Sequence, residues 1–281
     1  MRILEFDKLI RSEISASRYL IRRRWGGRDR RCLNCNSKQL YRLSEGRFRC
    51  GSCGYTFGEL TGTWLAQSRI SPVKWLWLIK LFELEITAWQ AGTQLGVSYP
   101  TVLRVYTIIR RAVLAEEQPE LLRSEVEADE SYFGGRRKGM RGRGAAGKIP
   151  VFGILERKGK VQVTVVPDVR ARTLMDETIK LVKRGSLVYT DKYHSYDALT
   201  FYGYQHLRVD HDRRFSRGKV HINGLEGFWS YAKGKLLKHH GVSPHRFPLY
   251  LYEMQFRYNH RRENLFDLFL AAVLKPVPDL L

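Results

Sequence analysis

Between Ser71 and Arg104 apolar residues recur at helical spacing, and after Glu125 they fall into short strand-like runs alternating with helical ones. Ser71-Pro72 supplies a helix start, with proline in the first turn, and Trp75, Leu78, Ile79 and Phe82 line one face of the helix that follows. A second apolar helix ends at Gly96, a residue suited to a left-handed terminus. After a three-residue turn Ser98 can cap, and Pro100 falls in the first turn of a further helix. This is the pattern of a helix-turn-helix, whose second helix would carry Thr101, Arg104 and Tyr106 toward a DNA major groove. Beyond it, strands are expected over 125–133, 151–156 and 161–166 and a helix over 172–184. A strand over 186–191 follows, then helices over 223–237 and from 248 to about 262. Strands first and alternation afterwards give an α/β class with a mixed sheet and flanking helices.

Charge narrows the function. The 281 residues carry 49 Lys+Arg against 28 Asp+Glu, a formal net charge of +21. With hydrophobic residues at 43%, the chain has the apolar material to build cores and is not a disordered polycation. The excess is well beyond the magnitude of about 2 to 8 that solubility asks of a small domain, so a polyanion, and nucleic acid first, is the expected partner. The apolar run 73–82 is interrupted by Lys74 and Lys80 and is too short for a membrane span of roughly 20 residues. No apolar signal core follows Met1-Arg2, so a reducing, non-exported setting is expected.

All four cysteines lie in one short stretch, as Cys32-Leu-Asn-Cys35 and Cys50-Gly-Ser-Cys53, with 14 residues between the pairs. Two C-x2-C knuckles turn four thiolates toward one ion, the zinc-ribbon arrangement, with hairpin arms over 40–43 and 47–49 between them. A full thiolate set leaves no open coordination position, so this zinc holds structure and does not catalyse; iron would fill the same geometry, and disulfides are disfavoured in a reducing setting. From Arg18 to Arg49 there are eleven Lys/Arg and only two acids, a composition suited to DNA phosphates.

Three acids stand out in the second half: Asp129 late in a strand, Asp191 at the end of an apolar run, and Glu226 on a helix. A carboxylate at the end of a buried strand costs desolvation unless a cation offsets it. Turn capping explains any one of them alone. Several such acids from separate elements suit a divalent-metal site of hard oxygen ligands, and two ions could clamp a phosphodiester for in-line displacement. Glu130 adjoins Asp129, but successive strand residues point to opposite faces, so only one of the two is expected at the metals.

Here the motifs become specific. D-E-S-Y-F-G-G from Asp129, P-V-F-G-I-L-E-R-K-G-K-V from Pro150, Y-T-D-K-Y-H-S-Y around Asp191 and H-I-N-G-L-E-G-F-W-S-Y-A-K from His221 follow one another in order. Together with the ribbon they resemble bacterial insertion-sequence transposases of the zinc-ribbon group related to Merlin elements, over nearly the whole chain. The resemblance implies a ribonuclease-H-like catalytic core with a DDE triad, carried over by motif as Asp129, Asp191 and Glu226, and two Mg²⁺ as catalytic cofactors beside the single structural Zn²⁺. Asn223, one helical turn from Glu226, is an alternative third ligand. Lys233 matches a basic residue that follows the triad glutamate in the family and is expected on DNA. The domains expected are an N-terminal helical arm (1–27), a zinc ribbon (28–58), a helix-turn-helix region (59–118), the catalytic core (119–265) and a C-terminal tail (266–281).

The segment 134–148 holds six glycines and six basic residues (Arg136, Arg137, Lys138, Arg141, Arg143 and Lys148) with no acid, a composition suited to closing on a DNA backbone or to a basic linker. Glu253 and Arg257 resemble a family signature on the last helix; as an i,i+4 pair they would support that helix locally. The function implied is a DNA transposase that binds its element's terminal inverted repeats, hydrolyses phosphodiesters and transfers strands to target DNA. It would work as a homo-oligomer on double-stranded DNA, in the bacterial cytoplasm at the nucleoid, with no membrane partner. A catalytically silent DNA-binding regulator would share the ribbon and the charge without needing all three acids.

Overall fold

The structure, a computed structural model of the chain, describes residues 2–26, 30–117, 120–134, 147–191, 196–209 and 221–278. It divides into two compact units, the first comprising the chain up to Glu116 together with the segment from Arg262 onward, the second Glu117–Arg261.

In the first unit, helix starts follow local chemistry. Helix α1 (Ile3–Leu9) precedes α2 (Glu13–Trp25), whose cap Ser12 accepts the Ser15 N–H. Strands β1 (Leu40–Arg42), β2 (Phe48–Cys50) and β3 (Thr56–Phe57) form the antiparallel ribbon, in the order β1-β2-β3. Helix α3 (Pro72–Glu83) starts at Ser71, which accepts from Lys74 N. Helix α4 (Ala88–Leu95) is capped by Thr87 and ends at Gly96 with φ +58°, and α5 (Tyr99–Glu116) follows as expected of a helix-turn-helix. One assignment changes. Tyr106 does not project outward: it is buried and packs edge-on against Phe82 at 4.9 Å, because Val102, Val105, Tyr106 and Ile109 occupy one i, i+3, i+4, i+7 arc of α5.

The second unit is built on a five-stranded sheet. Strands β4 (Glu125–Phe133), β5 (Ile149–Glu156) and β6 (Val161–Val165) form an antiparallel meander. After helix α6 (Ala171–Leu181), strands β7 (Leu187–Thr190) and β8 (Gln205–Arg208) add parallel to β4 on its other side, giving the order β6-β5-β4-β7-β8. This is a mixed sheet, with three antiparallel strands followed by two parallel ones, as expected. Central β4 is buried on both faces, as such a position requires. Its even-numbered face, with Val126 and Ala128, packs with Phe152 and Ile154 against Leu174 and Met175 of α6. The other face carries Phe133, Val151 and Leu155 against helices α7 (Asn223–Leu237) and α8 (Phe247–Asn259). The helix expected to reach residue 184 stops at Leu181, because Val182 is extended and bridges Leu122.

Helix α8 also closes the outer edge of β6. Gln255 accepts the Val163 N–H at 2.9 Å, while Asn259 accepts from Val161 N and donates to Val161 O. Such pairing removes the template an exposed edge presents. Glu253 and Arg257 are therefore more than a surface helix pair: they meet at 2.7 Å and are both buried. Beyond Arg261 the chain rejoins the first unit. The expected tail contains helix α9 (Leu265–Leu274), whose Phe269 packs on Phe82 and whose Phe266 packs on Phe6.

Candidate active site and metal centres

The thiolate centre is set by turns within the ribbon. Cys32 and Cys50 are buried, Cys35 and Cys53 exposed, and the four sulfurs lie within 4.8 Å of one another. The Cys32–Cys53 and Cys35–Cys50 separations are both 3.5 Å. A tetrahedron of Zn–S bonds of about 2.3 Å places its sulfurs about 3.8 Å apart, so the quartet fits zinc without rearrangement. The thiols titrate together. Burial opposes ionisation of Cys50, but the backbone N–H groups of Cys53 and Ser52 and its thiol neighbours lower its pKa. At Cys35 the Ser37 backbone hydrogen bond lowers the pKa, but hydrogen bonds to the other thiols raise it overall.

The second centre draws on remote stretches. In the β4–β7 ladder Glu127 pairs with Tyr189, and the same offset brings Asp191 level with Asp129 just past the end of β7. Among the described residues, Asp129, Glu130 and Asp191 form a group with one carboxylate oxygen each within 4.8 Å of the others. Only one of Asp129 and Glu130 was expected at the metals, and Glu130 nevertheless brings a carboxylate oxygen into this group. Strand parity still holds, since Asp129 takes a 3.0 Å hydrogen bond from Trp229 Nε1 on the α7 face and Glu130 takes one of 2.9 Å from the buried Tyr196 hydroxyl. Among the described residues, the β4–β7 ladder runs from Glu125 to Glu127, and Asp129 and Glu130 both lie just beyond it.

Electrostatics mark the group as built for a cation. Burial, and then the charges of Glu130 and Asp191, push the Asp129 carboxyl up to about 7, against a lowering hydrogen bond from Trp229. Burial and the carboxylates of Glu130 and Asp129 likewise hold the Tyr196 phenol well above its ordinary range. Three carboxylates crowded into a half-buried edge repel one another, and a hard divalent cation is the partner such an oxygen set fits. Space for the indole beside Asp129 depends on Gly153, the residue opposite it on β5: a Cβ there would lie 2.6 Å from the Trp229 ring.

Glu226 lies on the first turn of α7, exposed and outside the three-carboxylate group, and Asn223 at the helix start is exposed as well. Lys233 is exposed, with its ammonium 5.5 Å from the Phe133 ring centroid. Burial draws its pKa down, the Asp129 charge works against that, and Lys148 lowers it further. In the first unit Arg104 is exposed at the surface of α5 and donates to Gln67 O at 3.1 Å. Arg136, Arg137, Lys138, Arg141 and Arg143 lie outside the described residues. The sequence reading did not single out Trp229, three residues after Glu226, nor Glu127, which shares strand parity with Asp129; those two spacings were the available signals.

The profile described as the ISXO2-like transposase domain matches residues 121–259, and the transposase zinc-ribbon domain matches 11–56. A protein of the transposable element ISH50 of Halobacterium salinarum is 30% identical over 256 residues, covering 80% of this chain and 84% of that protein. An uncharacterized transposase-like protein of Haemophilus influenzae is 40% identical over 103 residues, 37% of this chain and 84% of that one. Crystal structures of the Mos1 strand transfer complex and of a pre-cleavage Mos1 transpososome align over 70% and 71% of the chain, and 73% and 79% of theirs. Their TM-scores are 0.29 and 0.30 at 12% and 13% identity. No helix among the described residues is long and apolar enough to cross a membrane. By its ribbon, its acid-bearing core and its relatives, the chain belongs to the family of insertion-sequence transposases with an ISXO2-like transposase domain.

Proposed function

We propose that this transposase cleaves DNA phosphodiesters at the ends of its insertion sequence and transfers the freed 3′-hydroxyls to target DNA, with Asp129, Asp191 and Glu226 holding two Mg²⁺. The observation that carries the reading is the convergence of Asp129, within β4, and Asp191, just past the end of the adjacent parallel strand β7, in a family of transposases. Bound there, the cations would supply the charge that activates water and offsets negative charge on the phosphate. The chain's own part is to align the carboxylates, and to set Lys233 near Asp129 where a DNA phosphate would need a counter-charge.

Helix geometry supports Glu226 over Asn223. Seven residues on an α-helix amount to about 700°, so Glu226 and Lys233 share a flank, and that flank adjoins Trp229, which reaches Asp129. Asn223 lies about 60° to the far side of Glu226, away from Trp229. Glu130 then shapes the site's charge from the opposite face of β4. The ribbon and helix-turn-helix would read the terminal inverted repeats, the basic segment 134–148 would contact backbone, and synapsis of two ends calls for a homo-oligomer. The setting we infer is bacterial cytoplasmic DNA at the nucleoid. Strand cleavage of a duplex carrying the element's own ends tests the reading: Mg²⁺ should support cutting, and chelator or Asp191→Ala should abolish it. Metal-independent cutting, or full activity in Asp191→Ala, would remove it.

A further inference from the structure

Below the carboxylate group lies a second polar cluster that the reaction itself does not use. Arg157, in the turn after β5, donates from Nη1 to Glu125 at 3.0 Å, from Nε to Glu127 at 3.3 Å and from Nη2 to the His221 carbonyl at 2.6 Å. Its guanidinium stacks over the Tyr189 ring at 3.7 Å, and the Tyr189 hydroxyl donates to Glu125 at 2.9 Å. Glu127, only 1% exposed, accepts the Leu225 N–H at 2.9 Å, and the His221 ring lies 3.5 Å from it. Helix α7 has no side-chain cap of its own at Ile222, so the strand carboxylate serves one of its orphan N–H groups. Gly224 lets the helix come this close, since a Cβ there would meet Glu127 at 2.9 Å and Leu155 at 3.0 Å.

The positions touched are informative. Glu127 is two residues before Asp129 on β4, Tyr189 is two before Asp191 on β7, and Leu225 is one before Glu226 on α7. One guanidinium and one buried carboxylate thus grip all three acid-bearing elements a single step from their acids. Within a strand, residues two apart share a face, so a shift at Glu127 or Tyr189 is passed directly to the acid beyond it. A fork of five donors can bridge several acceptors in fixed geometry, and an ammonium cannot reproduce that fork. We infer that Arg157 and Glu127 are positioning residues that set the mutual register of Asp129, Asp191 and Glu226 for metal binding, a role that rests on the reading of those three acids as ligands.

The test compares Arg157→Lys, the double variant Glu127→Gln with Arg157→Met, and Gly224→Ala with the unaltered full-length protein. The double variant removes both charges at once, so no buried ion is left without its partner. Gly224→Ala favours the helix intrinsically while pressing it away from Glu127, so helix propensity alone predicts no loss. Read-outs are the Mn²⁺ concentration giving half-maximal cleavage of the element-end duplex and the affinity for that duplex in chelator. The expected result is an Mn²⁺ requirement raised about tenfold or more in all three, with metal-free DNA affinity within about twofold of the unaltered protein. Variants that fold, bind DNA and respond to Mn²⁺ normally would overturn the inference, as would loss of DNA binding and metal response together, which marks a purely structural role. Glu226→Gln run alongside separates the two readings. A normal Mn²⁺ response there removes Glu226 as a ligand and its part in the register, whereas a weakened response there with a normal one in Arg157→Lys removes the positioning role alone.

Discussion

The two candidate metal centres are assembled in opposite ways. The four thiolates lie within 22 residues of chain, and two short knuckles bring them together. The carboxylate group draws on 63 residues of chain, from Asp129 to Asp191, and the proposed third ligand Glu226 lies 35 positions further on. The ribbon carries its geometry in local turns and needs only the ion to hold it. The carboxylates depend on strand register, on space left by Gly153, and on the polar cluster around Arg157. Local spacing therefore specifies a structural metal, while tertiary packing specifies a reactive one, and damage to each should be felt in different measurements.

The largest effect that separates them is expected from the ribbon. Cys35→Ser removes a ligand with little loss of packing, because that cysteine is exposed. Zinc content, measured by atomic absorption, should fall from about one per chain to near zero, and affinity for the element ends should drop about tenfold or more. Folding of the second unit, followed by the near-ultraviolet signal of its buried tryptophan, should stay intact. Equal unfolding of both units would break the contrast.

A smaller effect is expected from Gly153→Ala. The added methyl meets Trp229 at 2.6 Å, an overpacking that costs about 1–3 kcal/mol and turns the indole from Asp129. Cleavage should fall about tenfold, with zinc content and DNA affinity unchanged. Retained activity would mean that the Trp229 hydrogen bond does not matter to the site.

The smallest effect is a dependence of stability on pH in chelator. Because Asp129 has a folded-state pKa of about 7, above its ordinary 3.8, the folded chain binds that proton more tightly than the unfolded chain. This stabilisation is complete below about pH 4 and is lost as the pH rises through about 7. Metal-free protein should therefore melt a few degrees lower at pH 8 than at pH 5, and Asp129→Asn should flatten the difference. Mg²⁺ should restore the loss at pH 8. An Asp129→Asn curve parallel to that of the unaltered protein would place the repulsion elsewhere.

The legible parts of the sequence were those with local rules. The cysteine spacing, the Gly96 turn, the strands β4, β5 and β6 and the acid at the end of β7 all follow from period and punctuation. Strand β8 went unseen because Gln205-His-Leu-Arg208 is short, polar and at a sheet edge, with no apolar alternation to reveal it. Helix α9 was taken for a tail because its partners, Phe6 and Phe82, are far away in sequence. Tyr106 was assigned outward because a hydroxyl-bearing aromatic suits either a groove or a core, and only the packing of Phe82 decides. Glu130 was set aside on strand parity, which does send it to the opposite face from Asp129 but does not keep the two carboxylates apart. The Arg157 cluster was illegible because its members come from three strands' worth of sequence and meet only when the sheet is formed.

Anomalous diffraction from crystals soaked in Mn²⁺ addresses the carboxylate site directly. On this reading a peak is expected beside Asp129 and Asp191, the residues that would hold the cation together with Glu226, while Glu130 keeps its hydrogen bond from Tyr196. Absence of any peak at those two aspartates, at Mn²⁺ concentrations that support cleavage, would contradict it.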